Sequence, residues 1–570
     1  MGFLFSGCAP SIEVRARNPA AARTSSVLRV SNRRVVMDID SIRELHPDVV
    51  KALETAKLKF RFCGPLKILV VVDGSIGLGN GFGIGKVVDI LNTTTRGWVD
   101  FQVTTQFKSS TTFTDALLNQ YHQLWLFGIN GGTGSLSGPE QTALLKWMNE
   151  RRGGVFATGD HADLGAALCR QVPRAGTMRR WTNAQGVPPR NPEGRIDTNR
   201  PSNNTQGPPA YNMIPDSAQR DAVPQVIEWV PTQRSGGFFG WHAPHPILCH
   251  PTHGPINVMP DHPHEGMCFD TAPGRFEVDI SNTSEYPEKD GIRPLPQVIA
   301  YGHTLADPPY WQEKRVNHPG VPMPAKRFPM ISVYDGQRIG YGRVVVDSTW
   351  HHWMGMNIDG LEAAAAATDA SAEAEANWEK IRAYYVNIAV WLATAHQRNC
   401  MTAFHISASH FQYVGFEEFV EDASLPELGR ALSKHLYRRV GPCWTRNWVL
   451  DLVLEIDPKL HDMLRREYLL ETLPPKDIPK PGPVCLSCPP WDIFEAHVLG
   501  GIVRNSIKQH RPQVEQFTAQ KALEFRFNEK EDDALLLDGV RAGLQSFDQT
   551  LQQDMKQLRP MLSALKAIQR

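Results

Sequence analysis

Seven residues constrain this chain more than any others. Lys67-Ile68-Leu69-Val70-Val71-Val72-Asp73 is a continuous apolar run ending in a Gly-rich turn. It is too short for a helix and rich in β-branched side chains, so it reads as a strand covered on both faces, as in a parallel sheet. Three further segments repeat the theme. Trp98–Thr105 alternates, Gln123–Ile129 is a buried strand followed by a Gly/Ser loop, and Val155–Thr158 ends at Gly159-Asp160-His161. Before the last of these, Ser137-Gly138-Pro139-Glu140 starts a helix with a capping Ser, an early Pro and Glu three residues on. That helix should stop at Gly153-Gly154. Strand, connection, strand, helix, strand in this order is α/β, with right-handed crossovers expected.

From about 170 to 290 the periodicity disappears and Pro, Asn, Gly, Arg and His dominate, so a long loop-rich insertion is expected over 166–295. Strand patterns return at Pro296–Gly302 and in a hairpin of Met330–Tyr334 with Ile339–Asp347, turning at Asp335-Gly336. After Gly360 the chain reads as helical, interrupted at 474–490, where seven of seventeen residues are Pro. The expected organisation is therefore an N-terminal arm over 1–60, an α/β domain over 61–360, and a helical region over 361–570 carrying a proline-rich arm. A stripe of Phe547, Leu551, Met555 and Leu558 packs either on the domain or on a second copy, so self-association through the C-terminal helices is open.

Composition excludes several classes. With 41% hydrophobic and 21% charged residues the chain can build a core, and 570 residues suggest two to four domains. Lys+Arg and Asp+Glu are equal at 60 each, so no global field draws nucleic acid or an anionic membrane. No run of about 18 apolar residues is present, which argues against a membrane-spanning helix. Nine scattered cysteines are not a secreted disulfide framework and fit a reducing compartment, with the cytoplasm as the default. Cys485 and Cys488 form a C-x-x-C flanked by prolines, which reads as incidental thiols. Residues 1–36 read as an unstructured arm, and Met37, which opens the segment after it, is an alternative start.

In an open α/β sheet ligands bind beyond the carboxyl ends of the strands. The strands expected here end in Asp73, Asn130, Gly159-Asp160-His161, Gly302-His303 and Asp347-Ser348-Thr349-Trp350-His351-His352. Adjacent acid and imidazole make Asp160, His161, His351 and His352 the candidate catalytic groups. A second concentration lies in the insertion, where six of the twenty histidines (242, 245, 250, 253, 262 and 264) fall within 23 residues. In Asp261-His262-Pro263-His264-Glu265 alternate residues share one side of an extended strand. Imidazole with carboxylate suits Zn, Fe or Mn. His161, Asp163, His262, His264 and Glu265 are accordingly the candidate ligands of a divalent metal. Gly74–Lys86 carries alternating glycines but no dinucleotide or Walker frame, so no nucleotide-binding residues are assigned. It reads as a loop over the crevice.

The block Leu144–Gly165, with its G-G-V-F-A-T-G-D-H-A-D-L-G, resembles the nucleophile-elbow region of class I glutamine amidotransferase-like domains. It is closest in look to ThuA-like (trehalose-utilisation type) members. Gly342–Asp347 with His351-His352 resembles the late strand that delivers a His in that superfamily. The resemblance covers 65–165 and 296–357 and implies a flavodoxin-like, mostly parallel sheet. It departs where it matters most: Asp160-His161 stands where amidotransferases need Cys, and Cys169 reads as a core thiol. Glutamine hydrolysis is therefore not expected. The leading expectation is a metal-assisted, hydrolase-like enzyme acting on a small molecule. The alternative is a non-catalytic binding or assembly protein on the same scaffold, with a protein partner.

Overall fold

The computed structural model describes residues 63–94, 99–131, 135–160, 163–181, 224–234, 242–260, 266–268, 285–304, 326–412, 423–468, 491–514 and 531–568. The arm over 1–60, the proline-rich arm with its C-x-x-C, and His161, His262, His264 and Glu265 lie outside them.

The centre is an eight-stranded sheet of β1 (Pro65–Val72), β2 (Asp100–Phe107), β3 (Gln123–Phe127), β4 (Gly154–Thr158), β5 (Glu228–Trp229), β6 (Gln297–Thr304), β7 (Lys326–Tyr334) and β8 (Val344–Asp347). Their order is β2-β1-β3-β4-β8-β7-β6-β5. The first five are parallel, and β7, β6 and β5 add antiparallel. The chain leaves β1 for β2 on one side and returns to β3 on the other, which opens a crevice between the carboxyl ends of β1 and β3.

The apolar runs follow from burial on both faces. One face packs Leu69, Val71, Leu124, Leu126, Val155 and Val346 on Leu144, Trp147 and Met148 of helix α2 (Gly138–Glu150), which follows α1 (Gly85–Thr93). Ser137 and Glu140 close the expected capping box on α2. The other face is aromatic. Trp125, Phe127 and Phe156 surround Trp353, whose ring also meets Tyr384 and Tyr385 of α4 (Ala372–Trp391). Helix α3 (Gly355–Ala366) precedes α4 and runs across position 360, where a boundary was expected.

Beyond α4 lie α5 (Ala395–Gln412), α6 (Leu425–Arg439), α7 (Pro442–Ile456), α8 (Pro458–Tyr468), α9 (Trp491–Val514) and α10 (Glu531–Ile568). Small residues let three of these approach closely. A Cβ on Gly429 would stand 1.7 Å from the carbonyl of Ala496, and one on Gly501 2.3 Å from that of Gly539.

Charge joins this helical region to the amino-terminal edge of the sheet. Arg343, at the start of β8, bridges Asp335 (2.8 Å) and Asp451 of α7 (2.5 Å), and Arg398 reaches Asp451 at 2.8 Å. Arg338 pairs with Asp462 at 2.6 Å.

Three details differ from the sequence reading. The turn between β7 and β8 is not a tight Asp-Gly hairpin but a 3-10 turn over Gly336–Ile339, with Gly340 at φ +81°, and β8 starts only at Val344. The insertion contributes the edge strand β5 and several two-stranded pieces over 225–259. Cys63 and Cys400, 337 residues apart, form a disulfide, which departs from the expectation of reduced thiols throughout. Periodicity and composition carry no information about such a distant pairing. Among the described residues no helix is long and apolar enough to cross a membrane.

Candidate functional site

Each parallel strand delivers a polar group to the same edge. β4 ends in Gly159-Asp160, and the chain turns back at once, with the Asp160 amide donating to the carbonyl of Leu164 (3.0 Å). Two glycines make that turn feasible. A Cβ on Gly159 would lie 2.2 Å from the Leu164 carbonyl, and Gly165 has φ +94°. The turn leaves Asp160 fully buried. Its Oδ1 accepts from Thr349 Oγ1 at 2.9 Å, and its Oδ2 is 3.7 Å from His351 Nε2. On the far side of the ring, His351 Nδ1 lies 3.0 Å from Asn357 Oδ1. The acid of the β4 turn and the imidazole that follows β8 are thus neighbours.

His352 goes elsewhere. Its Nδ1 is 2.8 Å from Asp347 Oδ1, while Asp347 Oδ2 accepts from Trp353 Nε1 (3.1 Å) and Tyr384 OH (2.8 Å). Tyr385 donates to the His352 carbonyl at 2.7 Å. Both side chains of the pair are wholly enclosed.

The Gly-rich loop packs on the segment that follows β8. The amides of Gly355 and Met356 donate to the carbonyls of Gly83 and Gly81, at 2.8 and 2.9 Å. Phe82 meets the rings of Trp350 and His351.

Arg179, to which no sequence pattern gave a role, holds the site together. Fully buried and stacked on Trp181, it donates from Nε and Nη2 to the carbonyl of Ser348 (3.2 and 2.8 Å) and from Nη2 to that of Asp160. Gly266 rests on the same guanidinium. A Cβ there would meet Nη2 at 2.1 Å and the Asp160 carbonyl at 2.7 Å. Gly266 therefore lies against Asp160 at the carboxyl edge. The only sequence signal was an Arg pair before Trp181 in a polar stretch, which is too common to single out.

Two further carboxylates border the opening. Asp163, in the turn after Asp160, has an Oδ1 that is buried with no hydrogen-bond partner among the described residues, and its Cβ faces Gly131. Asp73 accepts from the amides of Ile129 and Asn130 with Oδ1, whereas its buried Oδ2 has no partner among them. Burial raises the Asp73 pKa above the ordinary carboxyl value, against the lowering effect of those two amides.

Other candidates lie apart. His303 pairs with Glu228 at 3.1 Å, three strands from β4 and so roughly 14 Å away along the edge. His245 packs on Trp391 at the opposite edge, and His250 Nδ1 accepts from the amides of Thr252 and His253 within its own turn. Cys169 donates to the Thr158 carbonyl (3.5 Å), and burial raises its thiol pKa far above the usual range, so it is no nucleophile.

Among the described residues no three His, Cys, Asp or Glu side chains are grouped to hold a metal. Comparison with family models, curated proteins and solved structures found no match for this chain.

Proposed function

We propose that the chain is a metal-assisted, hydrolase-like enzyme acting on a small molecule at the carboxyl edge of a flavodoxin-like sheet related to the ThuA-like amidotransferase-type domains. The parallel order β2-β1-β3-β4-β8 supports that scaffold, because it is the doubly wound order with its switch point beside β1. The single observation that carries the reading is the Arg179 clasp. One guanidinium gathers the Asp160 turn, the segment leading to His351 and the residue that follows Glu265.

His161, Asp163, His262, His264 and Glu265 would hold a divalent ion. The buried Oδ1 of Asp163 fits that role: it has no hydrogen-bond partner among the described residues, and such a carboxylate oxygen calls for a cation or a donor. Bound Zn, Fe or Mn would polarise substrate and lower the pKa of a water. Asp160 and His351, 3.7 Å apart, would take and return the proton. His352 would orient that segment through its bond to Asp347. Glutamine amidotransfer is not proposed, since no thiolate nucleophile stands at the elbow.

Elemental analysis of the purified full chain tests this. We expect about one divalent ion per chain, lost in His264→Ala and His161→Ala. Metal-free wild type, or metal unaffected by both substitutions, would overturn the proposal.

A second reading, an assembly protein, draws on α10. Its residues Gln552 to Pro560 are all exposed, including Met555 at 57% and Leu558 at 49%. Light scattering on the full chain separates the two, because the assembly reading requires a stable oligomer that Met555→Glu dissolves.

A further inference from the structure

Four of the described cysteines stand outside the Cys63–Cys400 bond, and two of them meet. Cys249, in the insertion, and Cys443, in the first turn of α7, share a side-chain hydrogen bond. We propose that this pair is a redox-active dithiol that closes a second disulfide and so staples the insertion to α7. Neither cysteine belongs to the carboxyl-edge site, and the pair works whether or not a metal binds there.

The two backbones are fixed side by side. Asn387 of α4 donates from Nδ2 to the carbonyls of Ile247 and Cys249, at 3.0 and 2.8 Å. Gln233 Nε2 donates to the Cys443 carbonyl at 3.3 Å. Pro251 and Gly441, each two residues from one of the thiols, are in backbone contact: a Cβ on Gly441 would lie 3.4 Å from the Pro251 Cα. Close approach of this kind is what a disulfide requires, because its Cα atoms must come within about 7 Å.

Exposure separates this pair from the other two free thiols. Cys169 and Cys268 are wholly enclosed, whereas Cys249 and Cys443 keep 5% and 7% of their surface, so a small oxidant reaches them first. Burial pushes the Cys249 thiol up, and the neighbouring Cys443 adds to that, which makes its exchange slow. The oxidant is a low-molecular-weight disulfide such as oxidised glutathione. One protein thiolate attacks a sulfur of that disulfide and expels a small thiolate. The second cysteine then attacks the protein-bound sulfur and expels the other. On balance one S–S bond breaks and one forms, the protein gives up two electrons, and its two protons leave on the two released thiols. The new bond closes a loop of roughly 200 residues and thereby restricts the unfolded chain.

Peptide mass mapping of the full-length protein tests this, after treatment with oxidised glutathione and trapping of free thiols by alkylation. We expect a peptide pair joined through Cys249 and Cys443 that dithiothreitol separates. The same treatment should raise the melting temperature of wild type by roughly 3–6 °C. Cys443→Ser should lose both the linked peptides and that rise, and Cys249→Ser provides the same control from the other side. Recovery of the two cysteines as free thiols or as separate glutathione adducts would overturn the proposal, as would an equal rise in melting temperature in both variants.

Discussion

His352 Nδ1 lies 2.8 Å from Asp347 Oδ1, with neither side chain reached by solvent. Four donors converge on that one carboxylate, from His352, Trp353, Tyr384 and the Thr349 amide. The pair therefore locks the chain leaving β8 onto α4. His352→Ala should lower unfolding stability by about 2–4 kcal/mol, through a cavity and an incompletely satisfied acid. Urea unfolding of the variant beside wild type measures this, and an unchanged midpoint would contradict the structural role.

Arg179 makes a sharper case, because charge alone cannot replace it. Its planar fork reaches Asp160 and Ser348 together, whereas a lysine ammonium would reach one carbonyl at a time. Arg179→Lys should cost about 2–3 kcal/mol of stability and reduce the metal retained after dialysis. Full metal retention in that variant would show that the clasp does not shape the crevice.

Buried neutral histidines should make the fold acid-sensitive. Burial is the main cause that brings His245 down to about 3 and His122 and His435 to about 4, and Nδ1 of His245 accepts from the Ile247 amide. A histidine whose folded pKa lies below its unfolded value near 6.5 contributes its full stability above pH 6.5. That contribution is lost as pH falls, because the unfolded chain takes up the proton first. For His245 the loss between pH 6.5 and 4.5 is about 2–3 kcal/mol. Stability measured against pH should have a shallower acid limb in His245→Gln, and an identical slope would refute the assignment.

The Cys63–Cys400 bond closes a loop of 337 residues, and its removal should cost about 2–4 kcal/mol. Reductant should lower the melting temperature of wild type and leave a Cys63→Ser/Cys400→Ser chain unmoved. Thiol titration in denaturant offers a direct count, and nine free thiols without reductant would show that the bond does not form.

Arg343 is the hinge of the buried ion network. Arg343→Met takes one buried partner from each of Asp335 and Asp451, which keep Arg465 (3.5 Å) and Arg398 (2.8 Å), at a cost of about 3 kcal/mol. A double variant, Arg343→Met/Asp451→Asn, should recover part of that loss. Equal stability of the two variants would mean that Asp451 is held chiefly by Arg398, which lies 2.8 Å away.

The sequence by itself determined the sheet and its polar edge. Runs such as Lys67–Asp73 and Val155–Thr158 are local signals, because burial on both faces leaves strands nowhere to put polar residues. The Ser137–Glu140 cap was equally legible, since a capping box is complete within four residues. Asp160 and His351 could be named on the rule that strand ends share an edge. Tertiary structure alone decided that Oδ2 of one stands 3.7 Å from Nε2 of the other, while the adjacent His352 turns inward to Asp347. It also decided that Arg179 binds two distant carbonyls, that Cys63 meets Cys400, and that Arg343 ties the sheet to α7. Each of these joins residues that no local pattern relates. Their partners are chosen by the packing of whole elements, and that packing minimises a free energy summed over the entire chain.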